Sequence, residues 1–137
     1  MTESKCIINL KSVQKMGADK DINNEQYEGT IATRGDKKYL SYKRPTEDGL
    51  INCLISFSRK SLTLTQKGKL NSKLELIPGQ ETLNVYSTQV GTLDLRLYTR
   101  HYSLVETKDL IKILLDYDII TGTDPIQTAM DIVVELK

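Results

Sequence analysis

Histidine occurs once in this chain of 137 residues, cysteine twice and proline three times. No run of about 18 apolar residues occurs, so no helical membrane span is expected. The opening residues, MTESKCIINLKSV, turn polar within a few positions and lack the apolar stretch of a secretory leader. A cytoplasmic location is the expectation. Cys6 and Cys53 stand at unrelated positions, which suits neither a disulfide framework nor a metal motif. They read as two small buried side chains.

The same scarcity limits the chemistry. Nucleophilic catalysis needs a base beside a serine or cysteine. The one histidine, His101, sits next to Tyr102 and Ser103, and no elbow motif surrounds any serine. The eight glycines are scattered singly, so no glycine-rich phosphate cradle opens a helix. Asp116 and Asp118 share a strand face, with Asp109 and Asp124 near in sequence, and read as a solvated face rather than a calcium-like cluster. No metal site, no cofactor and no catalytic residue is expected. The balance leans against an enzyme, although a hydrolase working through two carboxylates would leave no mark that selects the pair.

A net charge of +1 is spread unevenly. Residues 34–73 hold ten Lys or Arg against three acids, a net of +7; residues 103–137 hold three Lys against seven acids, a net of −4. Such a division gives either an anion-facing patch or two parts of the fold that complement each other. Tyr39 and Tyr42 lie among the basic residues, as in grooves that bind single-stranded nucleic acid. The near-neutral pI of about 7.7 argues against a dedicated nucleic-acid binder.

What the chain has in quantity is alternation. Turn signals, among them Met16-Gly17-Ala18-Asp19, Arg34-Gly35-Asp36, Pro45 to Gly49, Pro78-Gly79-Gln80 and Thr121 to Pro125, separate short segments rich in Ile, Leu, Val, Thr and Tyr. Cys6, Ile8 and Leu10 oppose Ile7, Asn9 and Lys11. Ile51, Cys53, Ile55 and Phe57 oppose Leu50, Asn52, Leu54 and Ser56. In TLNVYS, Leu83 and Val85 form the apolar set against Asn84 and Tyr86. Around Gly91, the inward set is Leu93, Leu95 and Leu97, with Asp94, Arg96, Tyr98 and Arg100 facing water. It runs on through Thr99 to His101, so polarity rises toward one end, expected to be a mouth. Residues 14–26 read as a polar loop with at most a helical turn. TKDLIKILLDYDIIT (107–121) fits an amphipathic helix through Leu110, Ile113, Leu114 and Tyr117. It also fits a strand through Ile111, Ile113, Leu115, Tyr117 and Ile119, which would complete a meander. Period-two patterning sustained this often means sheets with one dry face.

One domain, residues 1–137, is expected, large enough to fold without disulfide or metal. An antiparallel up-and-down barrel of about 8–10 strands would hide the dry faces and remove the sheet edges. The segment NVYSTQVGTLDLRLYTRHYSL, preceded by KLELIPGQETL and, further upstream, by YLSYKR, resembles the YwiB-like family, bacterial domains of unknown function. The matching positions are Tyr86, Gly91, Leu93, Leu95 and Thr99. Gln89 departs from the pattern, standing where an aromatic residue is expected. The resemblance implies a calycin-type, lipocalin-like barrel and carries no active site.

Two functions fit such a barrel. The first is a small apolar or amphipathic ligand in the interior, against Tyr42, Phe57, Leu95, Leu97, Thr99 and His101, provided those side chains leave room. The second is a non-enzymatic interaction module, with Lys37, Lys38, Arg59 and Lys60 facing an anionic partner, protein or nucleic acid. Composition leaves the oligomeric state open.

Overall fold

The computed structural model describes residues 3–47, 49–120, 122 and 124–137. Of the expected turns, Asp48, Thr121 and Thr123 lie outside the described residues. Among the described residues run ten strands and no helix: β1 (Glu3–Met16), β2 (Asp19–Arg34), β3 (Lys37–Thr46), β4 (Gly49–Phe57), β5 (Leu62–Lys67), β6 (Asn71–Leu76), β7 (Glu81–Thr88), β8 (Gly91–Glu106), β9 (Leu110–Ile120) and β10 (Ile126–Leu136). Each strand pairs antiparallel with its neighbours in sequence, and β1 pairs with β10 to close the ring. This is a closed antiparallel up-and-down β-barrel, a shape consistent with the lipocalin-like barrel expected from sequence. The ambiguous segment is strand β9, with Ile111, Ile113, Leu115 and Tyr117 buried.

Alternation decides what lies inside. Cys6, Ile8, Ile31, Leu40, Ile55, Phe57, Leu97, Ile113, Ile132 and Val134 form one buried cluster with their neighbours. Gly17 and Gly35 have φ of 60° and 63°. Each takes the first place of a two-residue hairpin turn, where positive φ matches the twist of the strands. Residues 14–26, expected as a loop, are the end of β1 and the start of β2, paired from Gln14↔Asp21 to Met16↔Asp19. Most of their side chains are exposed on both faces. No apolar alternation therefore marked them, although the backbone ladder is complete.

The wall parts between β2 and β3. The β2–β3 ladder runs only from Arg34↔Lys37 to Gly29↔Tyr42. Beyond it, β2 continues bonded to β1 alone, and β3 to β4 alone. Gly29 sits at the fork. A Cβ there would lie 2.5 Å from the Ser41 carbonyl oxygen and 3.2 Å from Tyr42 Cβ. Only glycine lets the two backbones and the Tyr42 side chain meet this closely.

Strand β7 reverses the expected faces. Asn84 is 3% exposed, whereas Leu83 is 69% exposed. The reason is a gap in the β6–β7 ladder, which covers only Asn71–Lys73 against Val85–Ser87. The Asn84 side chain fills it. Its Oδ1 accepts from the Glu75 backbone N–H at 2.8 Å, and its Nδ2 donates to the Thr82 carbonyl at 3.3 Å and the Leu95 carbonyl at 3.5 Å. The Thr82 hydroxyl donates to the Glu75 carbonyl at 2.7 Å. An amide that completes a ladder belongs on the inner, dry side, and that turns Leu83 and Val85 outward.

Candidate functional site: the open end of the barrel

The turns after β2, β4, β6 and β8 gather at one end of the barrel, and those after β1, β3, β5, β7 and β9 at the other. The first end is closed by side chains. Phe57, Leu62, Leu76, Ile111 and Val134 are all nearly fully buried. The second end carries more polar interior residues: Tyr42, Cys53, Ser72 and Thr128 are buried in that half, with Arg44 half-buried.

The site residues anticipated from sequence divide accordingly. Phe57, Leu97 and Thr99 belong to the buried interior, and a ligand against them would have to displace core side chains. Tyr42 is buried nearer the open end, and Leu95 is half-buried. Leu93 keeps the inward side of its strand but is 61% exposed, because β9 reaches only to Arg96 and the β7–β8 hairpin overhangs it. His101 does not face inward. A β-bulge between Thr99 and His101 shifts the register, placing His101 opposite Asp116 on the outer wall, exposed. The bulge arises where the loop after β6 docks on β8. Gly79 N–H donates to the Thr99 carbonyl at 2.8 Å, and Thr99 N–H donates to the Gln80 carbonyl at 3.3 Å. Bulges re-aim the side chains that follow them. Here Tyr102 takes the inward place, and its hydroxyl donates to the Ser58 carbonyl at 2.5 Å.

The basic stretch is not one patch. Lys38, Arg59 and Lys60 line a depression of about 360 Å³ at the closed end, but Asp36 and Glu106 line it too. Lys38 pairs with Glu106 at 3.6 Å, joining the basic stretch to the acidic one. Lys37 pairs with Arg34 in the ladder, on the opposite face of β3 from Lys38.

At the open end lies a shallow, solvent-open depression of about 340 Å³. Ile51, Leu70 and Tyr86 give it an apolar floor, and Thr46, Lys69, Thr88, Gln89 and the exposed Val90 its rim. Directly across the β3–β4 ladder from Ile51 stands Arg44. It shares the inward side of β3 with Leu40 and Tyr42. Its Nε is buried without a hydrogen-bond partner. Among the described residues, no carboxylate is recorded within ion-pair distance of it. Next to it, the rings of Tyr27 and Tyr42 stack with centroids 4.9 Å apart across the fork of β2 and β3. In the sequence Arg44 counts only as one of the ten cations of residues 34–73. Extending the period of two from Leu40 and Tyr42 by one more step would have turned it inward.

Burial makes four tyrosines reluctant to ionise. Tyr27 is pushed up to about 12 by burial and then by the nearby Glu25 carboxylate. Tyr102 also reaches about 12, through burial and then Glu106. Tyr42 is raised far above the usual phenol range by burial, with Cys53 adding to it. Burial raises Tyr117 as well, partly offset by Thr128 beside it. The fold therefore keeps protons that the unfolded chain gives up near pH 10. Stability conferred by a raised pKa is complete below the unfolded value and is lost as pH rises toward the folded one. Unfolding free energy is expected to fall from about pH 10 toward about pH 12. The absorbance of tyrosinate should appear later in the native protein than in urea, and coincident titration curves would contradict this.

A family model described as a domain of unknown function (DUF1934) matches residues 8–132. Among solved structures, the chain is similar to the YwiB protein of Bacillus subtilis. The TM-score is 0.90 and the identity 20%, over 98% of this chain and 93% of that one. At that identity the likeness concerns the fold. A second structure, the attachment invasion locus protein Ail of Yersinia pestis, shares 8% identity at a TM-score of 0.32, over 98% and 96% of the two chains, too slight to inform either fold or function. No curated protein matches.

Proposed function

The chain belongs to the DUF1934 family of domains of unknown function, and on that footing we propose that it is a ligand-binding barrel that takes a small amphipathic molecule at its open end. The observation that carries this is an open depression of about 340 Å³ at the barrel mouth whose floor is apolar at Ile51, Leu70 and Tyr86 and whose rim is polar at Thr46. Small-molecule sites combine apolar walls with a few placed polar groups in volumes of about 300–1,000 Å³. The depression at the closed end is of similar size but is lined by charged residues, Asp36, Lys38, Arg59, Lys60 and Glu106, so the ligand sits shallow at the open end, with its apolar part against Ile51 and Leu70. His101, on the outer wall, takes no part.

Native mass spectrometry of protein purified gently from its own cells is the test. An added mass of a few hundred daltons, lost on denaturation and absent from an Ile51→Trp variant that fills the depression, is the expected result. A bare chain in both proteins would overturn the proposal. A second reading, an anionic partner at the closed end, draws on Lys38, Arg59 and Lys60 sharing one depression. Asp36 and Glu106 within the same depression weaken its field.

A further inference from the structure

We propose that Arg44 anchors an anionic group, and that the amphipathic ligand of the open end is an organic monoanion of the carboxylate class with an apolar tail. This rests on the ligand-binding reading above and goes further by naming the chemistry that would be recognised. Arginine stays charged in proteins and presents its N–H donors in a planar fork that matches a carboxylate. Such a group is seldom turned inward without a partner, because a buried donor with nothing to meet it is costly. Here the Nε is buried and unpartnered.

The groups around Arg44 come from three strands. Tyr42 lies two residues before it on β3, Tyr27 faces from β2, and Cys53 faces from β4, opposite Tyr42. None is an anion in the folded protein, since burial raises all three pKa values. Glu25, the nearest acid on β2, interacts with Tyr27 and is not paired with Arg44. The fork after Gly29 explains this, because it ends the ladder that would have held β2 against Arg44. Arg44 thus has the stacked Tyr27 and Tyr42 on one side. On the other, Ile51 leads into the depression. A carboxylate held by the fork of Arg44 would send its tail along Ile51 toward Leu70.

The matched probes are sodium decanoate and decan-1-ol, titrated calorimetrically into the whole protein and into R44Q and R44K. Decanoate is expected to bind the unaltered protein about 10- to 100-fold more tightly than decanol, the range for a charge-assisted hydrogen bond. R44Q should reduce decanoate to the affinity of decanol, and R44K should restore part of the difference. Equal binding of both probes to the unaltered protein would overturn the anchor and leave the barrel reading standing. Binding of neither would overturn both. Circular dichroism checks that each variant folds. Should R44Q fail that check, the ratio of the two probes on the unaltered protein decides.

Discussion

Replacing Phe57 with alanine is expected to destabilise the barrel by about 3–5 kcal/mol. Phe57 is the one phenylalanine of the chain and is 1% exposed. It ends β4 at the closed end, opposite Lys38 on β3 and Leu62 on β5. Two costs add: the lost transfer of the ring from water, and the cavity left behind. The cavity term should be large, because three hydrogen-bonded strands fix the wall around the ring and cannot collapse onto the void. Set against a total stability of about 5–15 kcal/mol for an ordinary domain, the change is severe. Urea unfolding should show a lower midpoint with an unchanged slope, the mark of altered stability alone. A loss below about 1 kcal/mol, far under the core-truncation range, would mean that the closed end is loosely filled. The ligand space would then have to be redrawn deeper.

Replacing Asn84 with leucine is expected to cost about 2–5 kcal/mol, although the new side chain is apolar and of similar size. The Glu75 N–H would lose its acceptor, and the carbonyls of Thr82 and Leu95 would lose a donor. Each buried group left unmet costs about 1–3 kcal/mol. The adjacent change Leu83→Ser should stay within about 0.5 kcal/mol, as for an exposed position. The contrast is diagnostic, since alternation in TLNVYS assigns these two residues the opposite roles. A larger loss for Leu83→Ser than for Asn84→Leu in the same urea experiment would restore the alternation and refute the bridging role of Asn84.

Most of the barrel was legible because a dry inner face and a wet outer face leave a mark every second residue. Ile51, Cys53, Ile55 and Phe57 show it plainly, as do Ile111, Ile113 and Leu115 in the segment that also fitted a helix. The mark fails where the backbone departs from regular pairing. The bulge that turns His101 outward depends on carbonyl and amide groups of Gly79, Gln80 and Thr99, which alternation does not register. The bridging of Asn84 depends on a short β6–β7 ladder, a property of two strands together. Residues 14–26 form a hairpin whose side chains meet no core, so they had nothing to alternate. The candidate site suffered most. Of the interior residues named from sequence, Tyr42 stands in the polar half beside Arg44, whereas Arg44 itself was hidden by its charge.

The seam between β1 and β10 bears on how the barrel comes to exist. Every other ladder joins strands adjacent in sequence and forms from a local hairpin, an event of about 1–10 μs. The seam joins Cys6 to Leu136 and Lys15 to Gln127, so it must await nearly the whole chain. Ile8, Ile132 and Val134, all without solvent exposure in the finished barrel, line that seam. A chain in which the seam had not shut would present two bare strand edges and an apolar concave face, features that favour association with its own copies. Chaperone demand should be highest until β10 is free to pair with β1.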